Sequence, residues 1–180
     1  RVRSDSGYFV AVMSTRYPAA TLALAVVAAA LSGCAPAPEA TPTPTPAFAS
    51  EEEAFAAAEE VYREYNEAGN QGSDVTIFLM GRALEGELDT IRYLDQNKLT
   101  LDGPSKITTF EGKKVSGDDL TPTIQSSLCL DVSATRVLDV EGADVTPSDR
   151  TEKMKLDVTF SFVDGELLIS DSVTSEDQSC

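Results

Sequence analysis

The chain contains no histidine, and that absence decides much of the chemistry open to it. Ser-His-Asp and Cys-His nucleophile pairs, His-ligated zinc and the usual neutral-pH base are all excluded. Proton transfer would have to rest on carboxylates, tyrosines or lysines with shifted pKa. One carboxylate is placed by strand register for such work. Asp164-Gly165 has the residue types of a two-residue type I′ hairpin loop. That loop pairs Val163 with Glu166, Phe162 with Leu167 and Phe160 with Ile169. Carried outward, the register sets Val158 opposite Asp171 and Leu156 opposite Val173. Asp171 then falls on the apolar face, where burial raises a carboxyl pKa and suits it to acid/base chemistry. A bulge that turns Asp171 to solvent, or a place at the sheet margin, would remove it from that role. No Gly-rich phosphate loop of the P-loop or dinucleotide type is present, and no cofactor is expected.

A second site is chemical in another sense. Arg16 precedes an apolar run from Ala19 to Leu31, broken only by Thr21, and Leu31-Ser32-Gly33-Cys34 closes it. This is the plan of a secretory signal. As a helix these residues would rise about 20 Å, short of the roughly 30 Å hydrocarbon core, so a permanent span is not expected. The tetrapeptide resembles the lipobox of bacterial lipoproteins (Leu, small, small, Cys). The resemblance implies cleavage before Cys34, a thioether-linked diacylglycerol on that cysteine, and residence at the outer face of the cell membrane. Met13 would begin a signal of ordinary length, which leaves the translation start open between Arg1 and Met13.

With Cys34 taken by lipid, Cys129 and Cys180 remain, an even pair in an oxidising compartment. A disulfide between them is expected, closing a loop of about fifty residues and holding the C-terminal segment.

Removing residues 1–33 takes away Arg1, Arg3, Arg16 and Asp5, leaving 11 basic and 29 acidic residues and a formal charge of −18. Such a surface disfavours nucleic acid and anionic bilayers alike. Its acids are read as a solubilising surface. Asp139, Glu141 and Asp144 crowd around Gly142, but without the spacing of an EF-hand loop, and no metal is expected there.

These sites need elements to position them. Ala35–Ala49 is proline at nearly every second position, a semi-rigid polyproline stalk of at most about 45 Å. Its threonines are candidate glycan acceptors. A single domain is expected over 50–180. Ser50-Glu-Glu-Glu53 is a capping box, and Phe55, Ala58, Tyr62 and Tyr65 follow at helical spacing. Asp74 is expected to cap a second helix through Leu84. Leu84, Leu88, Ile91 and Leu94 mark a third short helix, or a bent continuation around Gly86. Beyond Asn97 the period becomes two. Strands are expected at 107–110, 123–132 and 136–140, with Cys129 facing away from Leu128 and Leu130. Met154 to Phe162 alternates cleanly, and Leu167, Ile169 and Val173 return beside it. Helices first and an antiparallel sheet afterwards make an α+β domain.

Element order, Phe55-x6-Tyr62-x2-Tyr65 in the first helix, and the late Asp164-Gly165 hairpin together resemble the nuclear transport factor 2-like, or SnoaL-like, cystatin-related fold. Many such domains carry an aromatic after the hairpin glycine, where this chain has Leu167 and Leu168. The resemblance implies a cone-like curved sheet around the long helix, open at one end as a cavity. It spans both ketosteroid isomerase-type enzymes and non-catalytic binding modules, and the fold does not choose between them. Tyr62, Tyr65 and Asp171 would meet in that cavity as an acid/base set, or both tyrosines are core filler. The expected partners are the membrane, through Cys34, and an envelope protein or small apolar ligand; a small acid/base enzyme is the alternative. A two-lobed solute receptor is disfavoured by size.

Overall fold

The computed structural model describes residues 45–180. The signal, Cys34 and most of the stalk lie outside the described residues. Two helices, α1 (Glu51–Asn70) and α2 (Gly81–Asn97), precede six strands. Strands β2 (Lys106–Ser116), β3 (Thr123–Asp131), β5 (Lys153–Val163) and β6 (Glu166–Thr174) form one antiparallel sheet in the order β2-β3-β5-β6. The short β1 (Thr100–Asp102) and β4 (Arg136–Leu138) pair separately. The fold is α+β, with helices packed on an antiparallel sheet.

α1 begins where its capping residues dictate. Ser50 is extended, and its hydroxyl accepts from the Glu53 amide at 3.2 Å. The Glu53 carboxylate reaches one residue further back than a standard box, accepting from the Ala49 amide at 2.7 Å. Glu51, Glu52 and Glu53 also oppose the positive end of the helix dipole. The folded unit takes in the end of the expected stalk. The Ala47 amide donates to the Asp119 carbonyl, and Phe48 packs edge-on against Phe162 at 5.5 Å. Hydrophobic contact, rather than proline content, sets that boundary.

The buried face of α1 is Ala54, Ala58 and Tyr62. Two alanines let the helix lie close on the sheet, over a core of Ile124, Leu128, Val158, Phe160 and Ile169. The helix also presses on Gly112 in β2, where an added Cβ would clash with Cγ of Phe55. Gly112→Val should therefore destabilise by about 1–3 kcal/mol, read as a lower urea midpoint. Facing Gly112 across the β2–β3 ladder is Ser126, whose hydroxyl is buried without a hydrogen-bond partner. Ser126→Ala should leave stability unchanged or raise it by about 1 kcal/mol, since it removes an unmet polar group.

Two expectations about the helices are corrected. Asp74 does not cap a long second helix; its carboxylate accepts from the Thr76 amide and hydroxyl and closes one 3-10 turn, Thr76–Phe78. The helix proper then starts at Gly81, in the left-handed region at φ 53° with the Ser170 carbonyl 3.2 Å from where a Cβ would be. The second helix is also not short. At 17 residues it runs unbroken through Gly86.

Cys129 and Cys180 are joined in a disulfide, with Cα atoms 5.7 Å apart. Cys129 lies on the face of the sheet away from α1. The segment leading to Cys180 crosses that face, its Ser175 amide donating to the Lys155 carbonyl and Lys155 pairing with Asp177 at 2.7 Å.

Candidate functional site

The β5–β6 hairpin turns as its sequence requires, with Asp164 and Gly165 both at positive φ. Pairing follows the expected register from Val163–Glu166 to Phe160–Ile169. It then slips by one. Thr159, not Val158, faces Asp171, and Val158 faces Ser172. Ser170 is the extra residue of a β-bulge, and its hydroxyl donates to the Thr159 carbonyl at 3.1 Å while accepting from Ser161 at 2.9 Å. The expected placement of Asp171 on the apolar face is thereby corrected. It lies on the opposite face and forms an ion pair with Arg82 of α2. Val173 likewise turns outward and is 47% exposed.

The slip has a second consequence, since it brings Ser172 to the inner face. There it meets Tyr62 and Tyr65, whose rings pack edge-on at 5.5 Å. With Leu79, Ile169 and one side of α2 (Arg82, Ala83, Gly86, Glu87 and Thr90) these residues line a half-open cavity of about 290 Å³. The Tyr65 hydroxyl donates to the Glu87 carboxylate at 3.3 Å. Of the expected acid/base set, then, the two tyrosines meet and Asp171 does not join them. Glu87 is the carboxylate beside them instead. Sequence periodicity did not single it out, although Ala83, Glu87 and Thr90 recur at helical spacing on one face of α2.

Electrostatics suit these groups to donating hydrogen bonds. Burial pushes the Tyr62 phenol up to about 12, opposed in part by its hydrogen bond with Ser172. Tyr65 is raised further, by burial first and then by the Glu87 charge and Tyr62. Both phenols keep their protons at neutral pH. The linkage has one sign. A phenol that ionises at 10 when unfolded and near 12 when folded stabilises fully below pH 10, and that share is lost as pH rises toward 12. The urea midpoint should hold up to about pH 10 and fall steeply above it, less steeply in Tyr65→Phe.

Among the described residues no group of His, Cys, Asp and Glu is placed to hold a metal ion. The acids around Gly142 are turned into their own loop. Asp139 accepts from the Glu141 and Ala143 amides, and Asp144 from the Thr146 amide, each at 2.9 Å.

No family model and no curated protein matches the chain. Among solved structures it is similar to the intermembrane space region of the chloroplast protein ARC6, with 13% identity, a TM-score of 0.49, and 71% of this chain and 97% of that one covered. No helix among the described residues is long and apolar enough to cross a membrane.

Proposed function

We propose that the protein is anchored by lipid at the outer face of a bacterial cell membrane and binds a small, largely apolar ligand without chemistry. The binding site is the cavity between α1, α2 and β6. The observation that carries this reading is the make-up of that cavity. Leu79, Ala83 and Ile169 supply apolar wall, Tyr62, Thr90 and Ser172 supply hydroxyls, Tyr65 donates to Glu87, and the carboxylate expected there, Asp171, is turned away and paired with Arg82. A protonated buried phenol can orient a ligand oxygen but is a poor base. At about 290 Å³ the space falls just below the usual range of ligand pockets, roughly 300–1,000 Å³, and suits a small ligand.

The lipobox at Leu31–Cys34 and the Pro/Thr stalk support the anchor, and the Cys129–Cys180 bond fits an oxidising compartment. The resemblance to nuclear transport factor 2-like domains supports a cavity-bearing module. An acid/base enzyme of isomerase or cyclase type remains the second reading. It now turns on Glu87, which Tyr65 touches, rather than on Asp171.

The anchor and the cavity are tested separately. Cys34→Ala should move the protein from the membrane fraction to the soluble fraction; unchanged sedimentation with membranes would refute the lipid. A thermal-shift screen of small apolar compounds should yield hits that Tyr65→Phe and Glu87→Gln weaken. Turnover of any hit, abolished by Glu87→Gln, would favour the enzyme instead.

A further inference from the structure

Independently of that cavity, α2 carries a face that the described residues leave uncovered. None of its 17 residues is buried. Its side toward the body carries Ala83, Gly86, Glu87 and Thr90, with Leu84 packed against the core, while Leu88, Ile91 and Leu94 follow one another at i, i+3 and i+6 along the flank. Leu88 is 41% exposed and Ile91 46%. One turn on, Leu94 lines a shallow hollow with Val140, itself 71% exposed. From Leu88 to Leu94 the apolar track is about 9 Å long, nearly two turns of helix. Helices are ordinarily held by burying such a stripe, so a helix that exposes it presents a surface for another chain.

Charge selects what that chain must be. Arg92 is taken up by Asp89 at 2.9 Å and Arg82 by Asp171. Among the described residues Glu85 and Asp95, beside the stripe, have no cationic partner; at the hollow Asp139 is held by the Glu141 and Ala143 amides, and Lys98 stands at its edge. The rim is acidic on a chain of net charge −16, which repels a second copy of itself and an anionic lipid surface. We infer that the Leu88–Ile91–Leu94 flank of α2 docks a cationic amphipathic helix of a partner protein, apolar side against the stripe and lysines or arginines over Glu85 and Asp95. This is recognition of a helix by a helix groove, with specificity from opposite charge.

The test uses a labelled amphipathic Leu/Lys peptide about four turns long, followed by fluorescence anisotropy with the full chain. Saturable binding should weaken about tenfold in Leu88→Ser/Ile91→Ser and comparably in Glu85→Lys/Asp95→Lys, each with a parental circular dichroism spectrum. The same peptide with glutamates for lysines should not bind. Absence of binding overturns the inference. So does equal binding by both double variants, which marks diffuse charge attraction, or equal binding of the glutamate peptide. Sedimentation of the parent, but not of Leu88→Ser/Ile91→Ser, as a dimer would overturn it in favour of a second copy. Should the serine variant fail to fold, the charge-reversed variant decides alone.

Discussion

Replacing Cys180 by serine, or reducing the disulfide it forms with Cys129, should cost about 4 kcal/mol of stability. The bond closes a loop across 51 positions of sequence, and the chain entropy released on opening it scales with the logarithm of that length. Little else holds the segment that carries Cys180. Beyond Thr174 it is fixed chiefly by the Ser175 amide, the Lys155–Asp177 pair and a Gln178–Ser175 contact. Exposed ion pairs of that kind contribute at most about 1 kcal/mol. Thermal unfolding with and without reductant checks the expectation, with thiol counting before and after denaturation. A melting temperature indifferent to reductant would mean that the segment contributes nothing to the core.

Phe160→Ala should be at least as severe, at about 3–5 kcal/mol. Phe160 is fully buried in β5, beside Ile124 and Ile169 on the neighbouring strands and with its ring 6.4 Å from Phe110. α1 lies over the same core, so truncating this ring leaves a void that no flexible side chain can fill. Chemical denaturation measures the loss. Leu88→Ala, on the exposed flank of α2, should change stability by less than about 0.5 kcal/mol in the same assay.

These contrasts show where sequence reasoning reaches. α1 was legible because Ser50, Glu53 and the Phe55–Tyr62–Tyr65 spacing are local signals, and local physics decides them. β5 and its turn were legible for the same reason, since strict alternation and Asp164-Gly165 leave one arrangement. The bulge at Ser170 was not. Leu167, Ile169 and Val173 alternate, and the charge of Asp171 on their face admits a bulge or a sheet margin without choosing between them or placing the slip. What accompanies it is tertiary. Leu79 bridges to Ile169, the Met80 amide donates to its carbonyl, and Gly81 is set against the Ser170 carbonyl. The stripe on α2 misled differently. Leu84, Leu88 and Ile91 correctly marked a helix, but the body takes the side bearing Ala83, Leu84, Gly86 and Glu87 and leaves Leu88 and Ile91 exposed. The cavity residues Glu87 and Ser172 were missed by these two routes.

The central claim is that the Tyr62–Tyr65 cavity receives a small ligand, and Gly86 offers a clean handle on it. Gly86 lines the cavity, and an added Cβ there meets nothing within 4 Å. Gly86→Leu should therefore fill the space while stabilising α2 by about 1 kcal/mol. The most direct measurement is NMR of the isotope-labelled protein titrated with small apolar fragments carrying one hydrogen-bond acceptor. The account predicts shifts confined to Tyr62, Tyr65, Glu87 and Ser172, and absent in Gly86→Leu. Fragments that shift the variant as they shift the parent, or that bind only elsewhere, would contradict it.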